Sequence, residues 1–469
     1  MKEKKATNAQ PIYDAKKLGK GRLLVLGAQH MFAMFGATVL VPALTGLDVS
    51  TTLLFAGLGT LLFHFISKRK VPAFLGSSFA FLAGYAAIAP NGEKELLPYA
   101  CFGVACAGLV YLLLAILIKA FGVAKVMQFF PPIVTGPIII AIGLTLSQSA
   151  VDNCAVNWLL AIIAILIIIL CNVYGRGMIQ IIPIILGIIG ATLVAIFLAA
   201  VAGNTFMDES GAEFIVLEHD RALVLFNSQS IQNIKDAAWI GLPIHYKETV
   251  FSIFENLDKK LLVTAVITIM PIAFATIVEH IGDISAISST VGRNYIKDPG
   301  LHRTLTGDGL ATVFASLFGA PANTTYGENT GVLSLSKVYD PLVIRIAAVF
   351  AILFSFSPKI AACISAIPTA VVGGISLVLY GMISAVGVRN IVENKVDFSK
   401  TRNVIIAALI LVLSIGIKYS SAGAIIVPLG GMNISLTGLA VGSLVGIIMN
   451  AILPGKDYKI EDVSEEEKK

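Results

Sequence analysis

Pro72-Ala73-Phe74-Leu75-Gly76-Ser77-Ser78-Phe79-Ala80-Phe81 in the first half of the chain and Pro321-Ala322-Asn323-Thr324-Thr325-Tyr326-Gly327-Glu328-Asn329-Thr330-Gly331 in the second are the stretches that decide the fold. Both open on Pro-Ala and are then broken by glycine and hydroxyl residues, so neither suits an unbroken helix: proline lacks the N–H and glycine is a poor helix former. Irregular backbone at membrane depth survives only when buried in protein or lining a water-filled cavity. Interrupted apolar segments at corresponding positions of two half-chains point to the binding site of a transporter built from repeats. The plainer reading of either stretch alone is a kinked packing helix.

The rest of the chain supplies the membrane. Of 469 residues, 56% are hydrophobic and 13% charged, with mean hydropathy +0.85; soluble globular domains carry about 25% charged residues. Apolar runs of the length that spans about 30 Å of hydrocarbon are centred near Phe35, Leu58, Leu113, Ile140, Ile165, Ile188, Ile269, Leu310, Val349, Leu377, Leu411 and Val445. With the two interrupted stretches they predict about fourteen crossings, an all-α polytopic protein. Residues 1–22 form a lysine-rich tail without a signal peptide. Lys68-Arg69-Lys70, Lys119 with Lys125, Arg293 with Lys297 and Arg303, and Arg389 with Lys395, Lys400 and Arg402 alternate with loops near Asp48, Glu93 and Asp152 that hold almost no Lys or Arg. The positive-inside rule then puts both termini in the cytoplasm. The same bias accounts for the net charge of +5, so no nucleic-acid partner is needed, and the lipid bilayer is the partner. The five cysteines lack metal-ligand spacing, and no metal is expected.

The residues around the two broken stretches repeat. Gln29-His30 matches Glu279-His280 at an offset of 250, and Pro72-Ala73 matches Pro321-Ala322 at 249. Pro131 with Gly136 and Ile138 matches Pro368 with Gly373 and Ile375 at 237. With an odd number of crossings per repeat, the second enters the membrane from the opposite side, giving inverted repeats. Between them, residues 203–260 read as an extracytoplasmic loop with acids Asp208, Glu209, Glu213, Glu218 and Asp220, and residues 454–469 as a solvated cytoplasmic tail.

Glu279 and Glu328 lie in apolar surroundings without a neighbouring base. An intramembrane acid is a functional candidate that needs a proton, water or ligand. His30 joins them as a titratable residue, with a packing histidine as its plain alternative, while His64 beside the basic loop reads as interfacial.

Gln29-His30, Ala33-Met34-Phe35-Gly36-Ala37-Thr38, Gly76-Ser77-Ser78-Phe79-Ala80-Phe81, Glu279-His280-Ile281-Gly282 and Asn323-Thr324-Thr325-Tyr326-Gly327-Glu328-Asn329-Thr330-Gly331 resemble the bacterial uracil permeases of the nucleobase-ascorbate transporter (nucleobase:cation symporter) family. The resemblance runs over essentially the whole chain. It implies fourteen transmembrane segments as two inverted repeats of seven, with short antiparallel strands in the third and tenth. It also implies a core domain from residues 23–120 and 261–357 and a gate domain from 121–202 and 358–453. On these residues it implies uracil held by Glu279 and Glu328, Phe79 against the base, and backbone amides near Tyr326 and Gly327. Uracil offers two N–H donors, two carbonyl acceptors and a flat face, which suit a carboxylate, amides and an aromatic ring. Family members use the proton gradient, so the proton is the coupling ion, carried among His30, Glu279 and Glu328, with no other cofactor. The assembly state is left open between a monomer and a homodimer.

The chain departs from the pattern at two places. Ser336 stands where the motif usually has Thr, which keeps a hydroxyl; Asp283 stands where the uracil permease has a histidine. Asp283 shares a helix face with Glu279, and base contact by Asp283 is left open. Glu328, where purine-carrying relatives commonly have Gln, points to a pyrimidine. The alternatives are a purine or xanthine symporter of the same family and an anion exchanger with the same inverted-repeat plan, which the paired acids oppose. A membrane enzyme is disfavoured because no His-Glu-x-x-His, nucleophile elbow or phosphate-cradling loop occurs. A channel would show neither saturation nor proton dependence.

Overall fold

A computed structural model describes residues 11–202, 204–207, 213–216, 228–429 and 432–455. The lysines of the first ten residues, the acids at 208, 209, 218 and 220, and the charged tail from 456 onward lie outside the described residues.

Each expected apolar run is a helix: α1 Lys20–Thr45, α2 Val49–Ile66, then, beyond strand β1 Leu75–Ser77, α3 Leu82–Ile88, α4 Leu97–Phe121, α5 Pro132–Ala155, α6 Trp158–Val173 and α7 Pro183–Ala202. The second half follows the same order: α8 Lys259–Ile269 running on through a 3-10 turn into α9 Ala273–Val291, α10 Leu301–Leu317, β2 Asn323–Thr325, α11 Gly327–Ser336, α12 Pro341–Ser355, α13 Pro358–Ser365, α14 Thr369–Glu393 and α15 Thr401–Lys418. A hairpin, β3 Ala424–Leu429 with β4 Met432–Thr437, precedes α16 Gly438–Ile452. Among the described residues seven helices are long and apolar enough to cross a membrane, or eight if α12 and α13, bent by 88°, count as one span.

Polar caps mark the helix starts in an otherwise apolar chain. The Asp48 carboxylate accepts from the Thr51 amide at 2.6 Å, Asn157 from Leu160 at 3.2 Å, and Asp258 from Lys260 and Leu261 at 2.9 and 3.1 Å. Each cap satisfies orphan donors and contributes about 1 kcal/mol. The Asp258 cap starts α8 at Lys259. The interval read as an extracytoplasmic loop or small insert holds, among its described residues, a hairpin of Asn204–Met207 with Glu213–Val216, a helix at Ser228–Asp236 and 3-10 turns at Tyr246–Glu248 and Val250–Glu255.

The helices pack as two bodies. In one, α4 lies on α10 and α2 on α12; in the other, α5 lies along α14, α6 on α7 and α15 on α16. The partners exchange between half-chains, as a two-fold relation demands. At the α5–α14 contact a side chain at Gly136 would strike Ile391, while one at Gly373 would strike the backbone of Asn153 and Cys154. The offset of 237 residues carries Gly136 to Gly373 and Cys154 to Ile391, so the two contacts are one contact seen twice. The glycines let the helix backbones approach closely, the usual device where lipid supplies no hydrophobic drive. The strands obey the same relation. β1 and β2 pair antiparallel, with Leu75 opposite Thr325 and Gly76 opposite Thr324, and the offset of 249 turns one pair into the other.

Candidate functional site

The two broken stretches meet in the middle of the first body. Around the three-residue pairing the Ser78 amide donates to the Ala322 carbonyl at 2.8 Å and the Tyr326 amide to the Phe74 carbonyl at 3.0 Å. Neighbouring helices hold the strands: the Leu75 amide donates to the Thr60 hydroxyl at 2.9 Å, the Thr312 hydroxyl to Asn323 O at 2.9 Å, and the Asn323 side-chain amide to Phe55 O at 3.0 Å. All of this backbone is buried. A buried donor or acceptor left unpaired costs about 1–3 kcal/mol, which is why strands form here at all.

Gly76 is required by that crossing. A side chain there would come within 2.5 Å of the Tyr326 ring and 2.7 Å of the Thr38 hydroxyl. The ring is fixed in turn by its hydroxyl, which donates to Ser77 O at 2.9 Å.

A cavity of about 600 Å³ opens between the two bodies beside these strands. On the first body it is walled by Phe79, Glu279, Asp283, Thr324, Thr325, Tyr326 and Gly327; on the second by Ile139, Met382, Val386 and others, with Asn172, Gln180 and Arg389 also on its walls. Glu279, Asp283, Ala286 and Thr290 reach it as one face of α9, spaced by four, three and four residues. Phe79 meets the second body edge-on, its ring centroid 5.7 Å from that of Tyr380.

No side chain caps α11 at its N-cap residue Tyr326. Gly327, the first residue of α11, lies on the cavity wall with Asp283, so the positive end of the helix dipole stands at the cavity. The Tyr326 amide is taken by Phe74 O within the strand frame, while Tyr326 and Gly327 both line the cavity.

The remaining expected residues fall into three positions. Asp283 lines the cavity and accepts a hydrogen bond from the Thr325 hydroxyl at 2.8 Å, tying α9 to β2. His30 is fully buried on α1 behind the cavity; the Asn329 side-chain amide donates to its carbonyl at 3.3 Å and faces its ring Nδ1 at the same distance. Glu328 is the second residue of α11, and its side chain lies outside the described residues. His64, expected at the interface, is instead buried, with Nε2 2.8 Å from Ala73 O. Its place on the inner face of α2 decides this, and the nearby basic loop does not.

Sequence reasoning passed over two features. Thr324 and Thr330 line the cavity with buried hydroxyls that have no hydrogen-bond partner among the described residues; their repetition in the second broken stretch was the available signal. His280 and Asp308, both fully buried, face each other with Nδ1 and Oδ2 2.8 Å apart. Asp308 satisfies the rule that singled out Glu279.

A cavity at the seam of two helical bodies, beside a pair of interrupted crossings, is the architecture of a membrane carrier. Comparison with known proteins agrees: residues 21–423 match the Permease family, and the chain belongs to that family. It is 39% identical to the uracil permease of Bacillus caldolyticus over 95% of both chains. It is 38% identical to the uracil permease of Bacillus subtilis over 93% of this chain and 94% of that one. In fold it is similar to the transmembrane domain of a cyanobacterial bicarbonate transporter, BicA, with a TM-score of 0.56 at 14% identity, covering 94% of this chain and 99% of that one. The protein is thus a multi-pass membrane transport protein and not an enzyme.

Proposed function

We propose that the protein takes up uracil together with protons across the bacterial cytoplasmic membrane by alternating access. The observation that carries this reading is the convergence, on one cavity, of an acid, a helix N-terminal end and a ring: Glu279, Gly327 at the start of α11, and Phe79. A uracil N–H meets Glu279, a carbonyl meets the amides at Gly327 and beyond, and the base lies against Phe79. A charge-assisted bond to Glu279 contributes about 1.5–3 kcal/mol in a dry site. Glu328 is the second acceptor in this scheme. Asp283, already bonded to Thr325, positions the strand beneath the base.

The two strand–half-helix units count as crossings, which gives fourteen segments in two inverted repeats of seven, as the exchange of packing partners supports. The basic loops around Arg176, Arg293, Lys337 and Arg389 lie on one side and define the cytoplasm, with both termini there. On that orientation Asn172, Gln180, Thr290 and Arg389 belong to the cytoplasmic ends, which supports reading the cavity as inward-facing. In this scheme a proton reaches the site from outside while one carboxylate stays ionised to accept from the base, the core shifts against the gate, and both leave inward. Burial of His30 against Asn329 couples α1 to the half-helix that carries Glu328.

Uptake of labelled uracil into proteoliposomes, with and without an imposed pH gradient, tests this. The parent takes up uracil faster with the inside alkaline, and Glu279→Gln and Glu328→Gln lose uptake; indifference to the gradient removes the proton. Competition by xanthine instead of uracil would assign the site to a purine. The fold shared with a bicarbonate transporter raises an anion as a rival, but Glu279 and Asp283 on the same walls repel one.

A further inference from the structure

We propose that the edge Trp239–Leu242 of the segment between the two half-chains is a lipid anchor, inserted into the headgroup layer of the membrane on the side where that segment lies. Trp239, Ile240 and Leu242 are 75, 83 and 77% exposed, three large apolar side chains within four residues. Single exposed apolar residues are ordinary, but a contiguous edge calls for an occupant.

The backbone bonds of this edge fix its level. The Gly241 amide donates to Phe356 O at 2.9 Å and the Lys359 amide to Ala238 O at 3.0 Å. The Thr51 hydroxyl donates to Pro243 O. Phe356 is the C-cap of α12 and Thr51 lies in the first turn of α2, so the edge is level with the ends of two apolar helices of 15 and 18 residues. Those lengths, about 22 and 27 Å at 1.5 Å per residue, end a helix near the hydrocarbon boundary. At the same point the chain turns by 88° from α12 into α13, so the course of α12 ends there.

Side chains identify lipid as the occupant. Below the edge, Val349, Leu353 and Phe356 of the α12 region are exposed and continue the apolar surface into the membrane. Beside it, Lys359 stands 5.0 Å from the centroid of the Trp239 ring and donates to Lys235 O at 3.2 Å. An indole flanked by a lysine at the end of a crossing helix is the pattern of an interfacial anchor, the ring at headgroup depth and the ammonium toward phosphate. The anchor ties residues 238–243 to the rim of the first body, where they bond to Thr51, Phe356 and Lys359.

The chain has two tryptophans, Trp158 and Trp239, so Trp158→Phe leaves Trp239 as the sole indole reporter. In full-length protein reconstituted into vesicles, its emission is expected to be blue-shifted, quenched by lipids carrying a nitroxide near the headgroup, and shielded from aqueous iodide. In a background that also carries Ile240→Ser and Leu242→Ser, nitroxide quenching should fall and iodide access rise, with size-exclusion elution unchanged. Red-shifted emission quenched by iodide and indifferent to the nitroxide would overturn the anchor. Uracil uptake by the same vesicles reports separately on transport.

Discussion

The two broken crossings share a frame and differ in chemistry. β1 leads into Phe79-Ala80-Phe81 and α3, whose entry is apolar and buried, whereas β2 leads into Tyr326 and α11, whose entry carries Thr324, Thr325, Glu328 and Asn329 and opens on the cavity. The pairing of the strands is reciprocal under the repeat offset; the side chains beyond it are not. Duplication thus accounts for the scaffold, and divergence of one copy for the polar site, the other copy contributing a ring and a close-packed floor.

Changes on the polar copy and its α9 partner should cost most. Glu279→Gln or Glu328→Gln removes a charge-assisted bond of about 1.5–3 kcal/mol, roughly a ten- to hundred-fold weakening of uracil binding. Titration of the purified variants checks this, and parental affinity in both would erase the distinction between the copies.

Gly76→Val attacks the shared frame. Its side chain would overlap the Tyr326 ring, and overpacking of this kind costs about 1–3 kcal/mol. Both thermal stability and uptake should fall, and Gly76→Ala should be milder. A Gly76→Val protein with parental melting temperature and uptake would show that the strands do not set the site.

Thr325→Val leaves Asp283 without the hydroxyl that now donates to it. Loss of the bond costs about 1–3 kcal/mol if the carboxylate stays buried, and Asp283→Asn should soften the effect. The combined variant should be less damaging than the sum of the single changes, because the residues are in contact. Strict additivity in measured affinities would exclude the tether.

On the apolar copy the effect should be smaller. Phe79→Leu keeps bulk but loses the ring, an interaction of about 0.5–1.5 kcal/mol; uracil affinity should drop a few-fold, with stability nearly unchanged. Smallest of all is Asn157→Ala at the start of α6, which removes a cap of about 1 kcal/mol and should lower the melting temperature without moving the affinity.

The sequence carried the apolar frame well because membrane helices are defined by length and hydropathy alone, and the runs centred from Phe35 to Val445 are all helical. Short strands are another matter. Three residues such as Leu75–Ser77 show no period for patterning to detect. The β3–β4 hairpin was legible but passed over: Gly430-Gly431 between two strand-like runs is a turn signal. His64 was misplaced because a sequence neighbour says less than a helix face, and the His280–Asp308 pair was missed because its partners are 28 residues apart and meet only when α9 packs beside α10. Within the site, residue types were readable and their division of labour was not. Only the fold shows that the Tyr326 amide is engaged and that Asp283 already has a hydroxyl partner.

The most direct test of the carrier site is equilibrium binding of labelled uracil to the purified, reconstituted protein and to its Glu279→Gln variant, each shown to be folded by its melting transition. Saturable binding by the parent that collapses in the variant is the predicted result. Undiminished uracil binding to a folded Glu279→Gln protein would contradict it.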